Sequence, residues 1–73
     1  MSNLPRISCR DCSKILIKIG YYLNRQEGSH MIMRKDDPFS QVVVPDHDEI
    51  RTGTLRAIIR FIGFSIEEFK KLI

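Results

Sequence analysis

The sequence predicts an α+β fold in the order α-β-β-β-α-α, with a three-stranded antiparallel sheet covered by helices on one face. Three observations predict it. Apolar residues recur at helical spacing from Cys9 to Ile19. Residues 21–44 hold three runs of aromatic, branched and long side chains separated by two turn clusters. After Arg51, helical spacing returns in two pieces divided by a glycine.

Ser8 is a good N-cap for the first helix, in which Cys9, Cys12, Ile15, Leu16 and Ile19 share one face, and Gly20 is a natural residue to end it. The opposite face carries Arg10, Lys14 and Lys18 at i, i+4 and i+8, a cationic stripe along the axis. Tyr21 to Gln26 forms the first strand, Gly28-Ser29 turns the chain, and His30 to Lys35 forms the second, making a hairpin. Asp36-Asp37-Pro38 is a second turn into Phe39 to Val44, and Pro45 ends the ladder. Which face of the middle strand is buried stays open, because Met31 and Met33 compete with Ile32. A polar link leads to Thr52 or Thr54 as the cap of a helix lined by Leu55, Ile58, Ile59 and Ile62 and ended by Gly63. Ser65 to Glu68 reads as a capping box for a short last helix with Ile66, Phe69 and Ile73 on its apolar side.

With 73 residues, 42% hydrophobic and 29% charged, the chain fits one small domain over residues 1–73 and excludes a multidomain enzyme. Area scaling for this mass predicts roughly 4,700 Å² of folded surface over a thin core. The longest apolar runs are three residues, against the ~20 that span a bilayer. Met1 to Arg6 holds no apolar leader segment, so a reducing, cytoplasmic setting is the expectation. The net charge of +3 hides an asymmetry: residues 1–35 carry seven lysines and arginines against two acids, and residues 36–73 carry five against seven. The first half is therefore the side for a polyanion.

Cys9 and Cys12 form a lone C-x-x-C without the four ligands of a structural zinc site and without a preceding strand for a redox motif. Two buried thiols on a helix face explain them. No glycine-rich nucleotide loop or serine-nucleophile elbow occurs, and the acidic clusters 36–37 and 46–49 match turn and loop chemistry rather than a metal pattern. No metal or other cofactor is expected.

The titratable candidates reduce to His30 and His47. His30 opens the second strand directly after Gly28-Ser29, with Arg25, Arg34 and Lys35 near in sequence. Imidazoles titrate near about pH 6.5, so one at a sheet end can take a proton from a ribose 2′-hydroxyl while cations and backbone N–H groups stabilise charge on the adjacent phosphate.

The runs Gly20-Tyr21-Tyr22, Arg25 to His30, Val44-Pro45-Asp46-His47 and Gly53-Thr54-Leu55-Arg56 with Ile58-Ile59-Arg60 and Gly63 together resemble the HicA family of toxin mRNA interferases. The Leu4-Pro5 start and the end at 65–69 extend the resemblance over nearly the whole chain. It implies a double-stranded-RNA-binding-domain-like fold and translation-linked, metal-independent endoribonuclease cleavage of mRNA. It also implies neutralisation by a HicB-type antitoxin, with a free monomer that forms a hetero-oligomer with its partner. His30 matches the family's catalytic histidine. Gly28 is then the turn-former, while Arg25, Ser29, Arg34 and Lys35 position RNA, assisted by the Arg10, Lys14 and Lys18 stripe. His47 also matches a family position but reads as a loop residue after a strand, without a catalytic role. Thr54 and Arg56 match too, and read first as a helix cap and an exposed helix residue. Glu27 departs from the family pattern by setting an anion beside the phosphate site. Two rival readings use the same fold: a non-catalytic RNA-binding module, which binds RNA in a salt-dependent way without cutting it, and an adaptor whose Met31 and Met33 offer an adaptable surface to a protein.

Overall fold

A computed structural model describes residues 4–73; Met1, Ser2 and Asn3, which open the stretch considered for a leader, lie outside them. Helix α1 spans Cys9–Lys18, and the Ser8 hydroxyl accepts the Asp11 amide at 3.1 Å. The helix ends where the amides of Gly20 and Tyr21 turn back onto the carbonyls of Ile17 and Leu16. Glycine suits position 20 by its conformation, and a side chain there would also have to displace the Lys35 stem slightly. Its φ is +111°, and a Cβ there would meet Lys35 Cδ at 3.3 Å.

Strands β1 (Tyr22–Glu27), β2 (His30–Asp36) and β3 (Phe39–Pro45) form one antiparallel sheet in the order β1-β2-β3. Tyr21, expected to open β1, stays outside it. Its ring is buried, and its hydroxyl shares a 2.6 Å hydrogen bond with Ser40. Its main-chain N–H goes to the Leu16 carbonyl at the end of α1 rather than to the ladder, at 2.9 Å. The register shifts between Leu23 and Arg25, a bulge that brings Arg25 opposite Ile32 and Glu27 opposite His30. On the other side β2 pairs with β3 without a break, from His30 opposite Pro45 to Asp36 opposite Phe39.

That register settles which face is buried. Met31, Met33, Val42 and Val44 look toward the helices, and Met33 and Val44 are wholly buried in the same core as Leu16 and Leu55. Ile32 lies on the outer face between Arg25 and Val43, apart from the main core, and is still only 5% exposed. Met33 is inside the core and Met31 packs against it, so neither methionine offers the adaptable surface that the adaptor reading takes from them.

Helix α2 spans Thr52–Phe61 and packs on β3 and on the last helix. Neither Thr52 nor Thr54 caps it. Arg51 holds the N-cap position without a side-chain bond, and its carbonyl accepts Leu55 N at 2.9 Å, so both threonines lie inside the first turn. Leu55, Ile58 and Ile59 are buried as the spacing predicts, and Gly63 ends the helix at φ +83°. Helix α3 (Ile66–Lys70) carries the expected capping box: Ser65 Oγ accepts Glu68 N at 3.1 Å and Ser65 N donates to Glu68 Oε1 at 2.8 Å. Phe69 anchors it in the core. Ile73 lies beyond the helix and is 58% exposed, and half-buried Leu72 packs on the core instead. The surface is 4915 Å², close to the area the mass predicts. Among the described residues no helix is long and apolar enough to cross a membrane.

Candidate active site

The β1–β2 turn, Gly28-Ser29, is the local feature on which the site depends. Gly28 has φ +58°, the left-handed conformation that glycine adopts without strain, while the space around its Cα is open. The requirement is conformational rather than steric. This tight turn makes His30 the first residue of β2, opposite Glu27 on one side and Pro45 on the other. By the strand alternation His30 shares the outer face of the sheet with Arg25, Ile32 and Arg34, and it is exposed there.

Arg25 is the diagonal neighbour of His30 across the β1–β2 ladder, about 7–8 Å away by strand geometry. Its Nε donates to Glu27 Oε2 at 2.8 Å. The anion that departs from the family pattern is therefore held by a guanidinium on the same face, which keeps four further N–H donors. Arg34 is four residues along β2, about 13 Å from His30. Its Nε donates to Asp36 Oδ1 at 2.8 Å, and its guanidinium lies 5.1 Å from the centre of the exposed Phe39 ring. Tyr22 joins this group by donating to the Asp36 carboxylate at 3.0 and 3.1 Å, which raises the phenol's pKa.

The remaining cations do not gather here. Lys35, grouped with Arg34 by sequence, projects from the opposite face, with its ammonium 5.1 Å from the centre of the buried Tyr21 ring. Strand alternation separates the two. Arg10, Lys14 and Lys18 are exposed on α1, the layer that covers the other side of the sheet. Lys18 reaches the end of the chain, donating to the Leu72 carbonyl at 3.1 Å. Arg10 lines a shallow depression with Ser8, Cys9, Asp46, His47 and Asp48, at the same end of the molecule as the Gly28-Ser29 turn.

One network in this region is not visible in the sequence. Asp46 N donates to the Ser29 carbonyl at 2.7 Å, Asp46 Oδ2 accepts Gln26 Nε2 at 2.6 Å, and Asp46 Oδ1 accepts the Cys9 thiol at 3.0 Å. Gln26 Nε2 also donates to the Gly28 carbonyl at 3.3 Å. The hydrogen bonds from Cys9 and Gln26 favour the ionised carboxylate and lower its pKa. Burial and the same carboxylate raise the pKa of Cys9, and burial pushes Cys12 up to about 12. Both cysteines are free and buried, as their helix face predicts. His47 lies in the loop after β3, where its carbonyl accepts Cys9 N at 3.0 Å. Among the described residues no three histidine, cysteine or acidic side chains gather as a metal-holding group.

The chemistry available is thus an exposed imidazole at a strand start with a guanidinium within reach of a shared phosphate, on an open sheet face. A family model described as the HicA toxin of bacterial toxin–antitoxin systems matches residues 9–64, from the first residue of α1 to just past α2. No curated protein matches the chain.

Proposed function

The chain belongs to the HicA toxin family of bacterial toxin–antitoxin systems, and on that premise we propose that it is a metal-independent endoribonuclease that cleaves mRNA with His30. The observation that carries this reading is the presentation of His30 on the outer sheet face, at the exit of a glycine-dependent turn and diagonal to Arg25. His30 takes the proton of a ribose 2′-hydroxyl, and the 2′-oxygen attacks the adjacent phosphorus. The bond to the 5′-oxygen breaks and that oxygen takes up a proton, returned by His30 or supplied by water, leaving a 2′,3′-cyclic phosphate on one product and a 5′-hydroxyl on the other. Arg25 stabilises the charge on the phosphate, and Ser29 supplies a hydroxyl at the turn. Arg34 contacts the RNA two nucleotides or so further along the face, and the α1 stripe contributes long-range attraction.

The substrate is mRNA in the cytoplasm, where cleavage stops translation. The free toxin is a monomer of a single domain over residues 1–73, and a HicB-type antitoxin neutralises it in a hetero-oligomer. Incubating purified protein with an mRNA in EDTA tests the activity: products ending in a cyclic phosphate support this route, and a 3′-hydroxyl terminus rules it out.

The non-catalytic RNA-binding reading has one observation in its favour, the exposure of Arg10, Lys14 and Lys18 along one helix. It predicts the same salt-dependent binding with no product in EDTA or in magnesium.

A further inference from the structure

We propose that Asp46 is a positioning residue for His30, its carboxylate fixing the β1–β2 turn against the first turn of α1. The inference rests on the reading of His30 as the catalytic base.

The turn has only two residues between its strands, and both are exposed. Its own hydrogen bonding does not fix its attitude relative to the helix layer. Asp46 does so from a position twenty residues beyond Gln26 and thirty-seven beyond Cys9. Its main chain holds the Ser29 carbonyl, which belongs to the peptide group that ends at His30 N. Its two carboxylate oxygens are divided between donors from two elements, Gln26 of β1 and Cys9 of α1. Gln26 completes the link by holding the carbonyl of Gly28 from the same nitrogen. The peptide units on both sides of Ser29 are therefore tied, directly or through Gln26, to one aspartate, and a shift of that aspartate moves His30.

Such a role acts on the geometry of the reacting group rather than on RNA affinity. Displacing a catalytic group by ~1 Å costs up to about 100-fold in rate, so Asp46→Ala is expected to lower kcat at least about 10-fold with KM within about twofold. Asp46→Asn is the conservative rescue. Its amide oxygen can keep the Gln26 bond and its nitrogen can face the weakly accepting Cys9 sulfur, so it should retain kcat within about threefold. Gln26→Ala breaks the link to the turn and should resemble Asp46→Ala. The double variant should be no slower than the worse single variant, because both remove one network.

The experiment measures kcat and KM on an RNA substrate for these four proteins and the unsubstituted chain, together with amide hydrogen exchange and ¹H–¹⁵N chemical shifts. The expected result is a kcat defect, restored in Asp46→Asn, with shift and exchange changes at Gly28, Ser29 and His30 and none in α2 or α3. Unchanged kcat in Asp46→Ala, or additive defects in the double variant, overturns the proposal. If the unsubstituted chain cuts no RNA, the enzyme reading fails on its own; the amide arm then decides, and unperturbed Ser29 and His30 amides in Asp46→Ala overturn the positioning role.

Discussion

Arg34 and Lys35 are adjacent in β2 and work on opposite faces of the sheet: the guanidinium lies over Phe39 on the outer face, and the ammonium lies over Tyr21 on the helix-covered face. One cation is available to a ligand of the His30 face, and the other braces the core.

Arg34→Ala is therefore expected to raise KM for RNA several-fold, and the loss of its contact with Phe39 should lower stability by about 0.5–1 kcal/mol. Lys35→Ala should leave KM within about twofold and lower stability by about 0.5–1 kcal/mol, the value of an exposed cation–π contact. Steady-state kinetics and urea denaturation on the two variants separate the effects.

Lys14 is the central residue of the α1 stripe and is exposed. Lys14→Glu is expected to weaken RNA binding and to flatten the slope of log K against log salt by about 1 for each phosphate the helix no longer neutralises. Fluorescence anisotropy over a salt series measures it, and an unchanged slope removes α1 from the interface.

The φ of +58° at Gly28 leads to a third expectation. Gly28→Ala forces a side chain into the left-handed region at a cost of about 1–2 kcal/mol. Because open space surrounds the site, the penalty is confined to the backbone. Gly28→Asn should recover much of the stability, since asparagine tolerates that conformation better. Thermal melts of the two variants check the order.

The elements are legible in the sequence because their local signals agree with their packing. Ser8, Gly20, Gly63 and the Ser65–Glu68 box mark helix ends by their own chemistry, and the apolar spacing of Leu55, Ile58 and Ile59 matches their burial. Legibility fails where the outcome depends on distant residues. Tyr21 is buried with its hydroxyl on Ser40, nineteen residues away, and the two sides of β2 can be told apart only through the register with Val42 and Val44. The candidate site divides in the same way. The Gly28-Ser29-His30 turn is local and reads directly, whereas proximity in sequence wrongly groups Lys35 with Arg34 because it ignores strand alternation. Asp46 reads as loop chemistry, since nothing local tells that Gln26 and Cys9 converge on it.

Acid should loosen the last helix. The Ser65 amide and hydroxyl favour the Glu68 carboxylate and lower its pKa from the ordinary 4.5. A carboxyl whose pKa is lower in the folded chain contributes its full stability above the unfolded value and loses it as pH falls through the folded value. Stability should therefore decline below about pH 4.5 more steeply in the unsubstituted chain than in Glu68→Gln. Ser65→Ala should cost about 1 kcal/mol at neutral pH. Urea midpoints between pH 3 and 7, read by circular dichroism, test both.

The most direct test of the account is RNA cleavage by the purified chain beside His30→Ala, both in EDTA and both shown by circular dichroism to be equally folded. His30 is exposed at a strand end, so its removal should leave the fold intact. The account predicts that only the unsubstituted chain cuts the RNA, while the variant still binds it with a steep salt dependence. Equal cutting by both proteins, or binding without cutting by both, would contradict it.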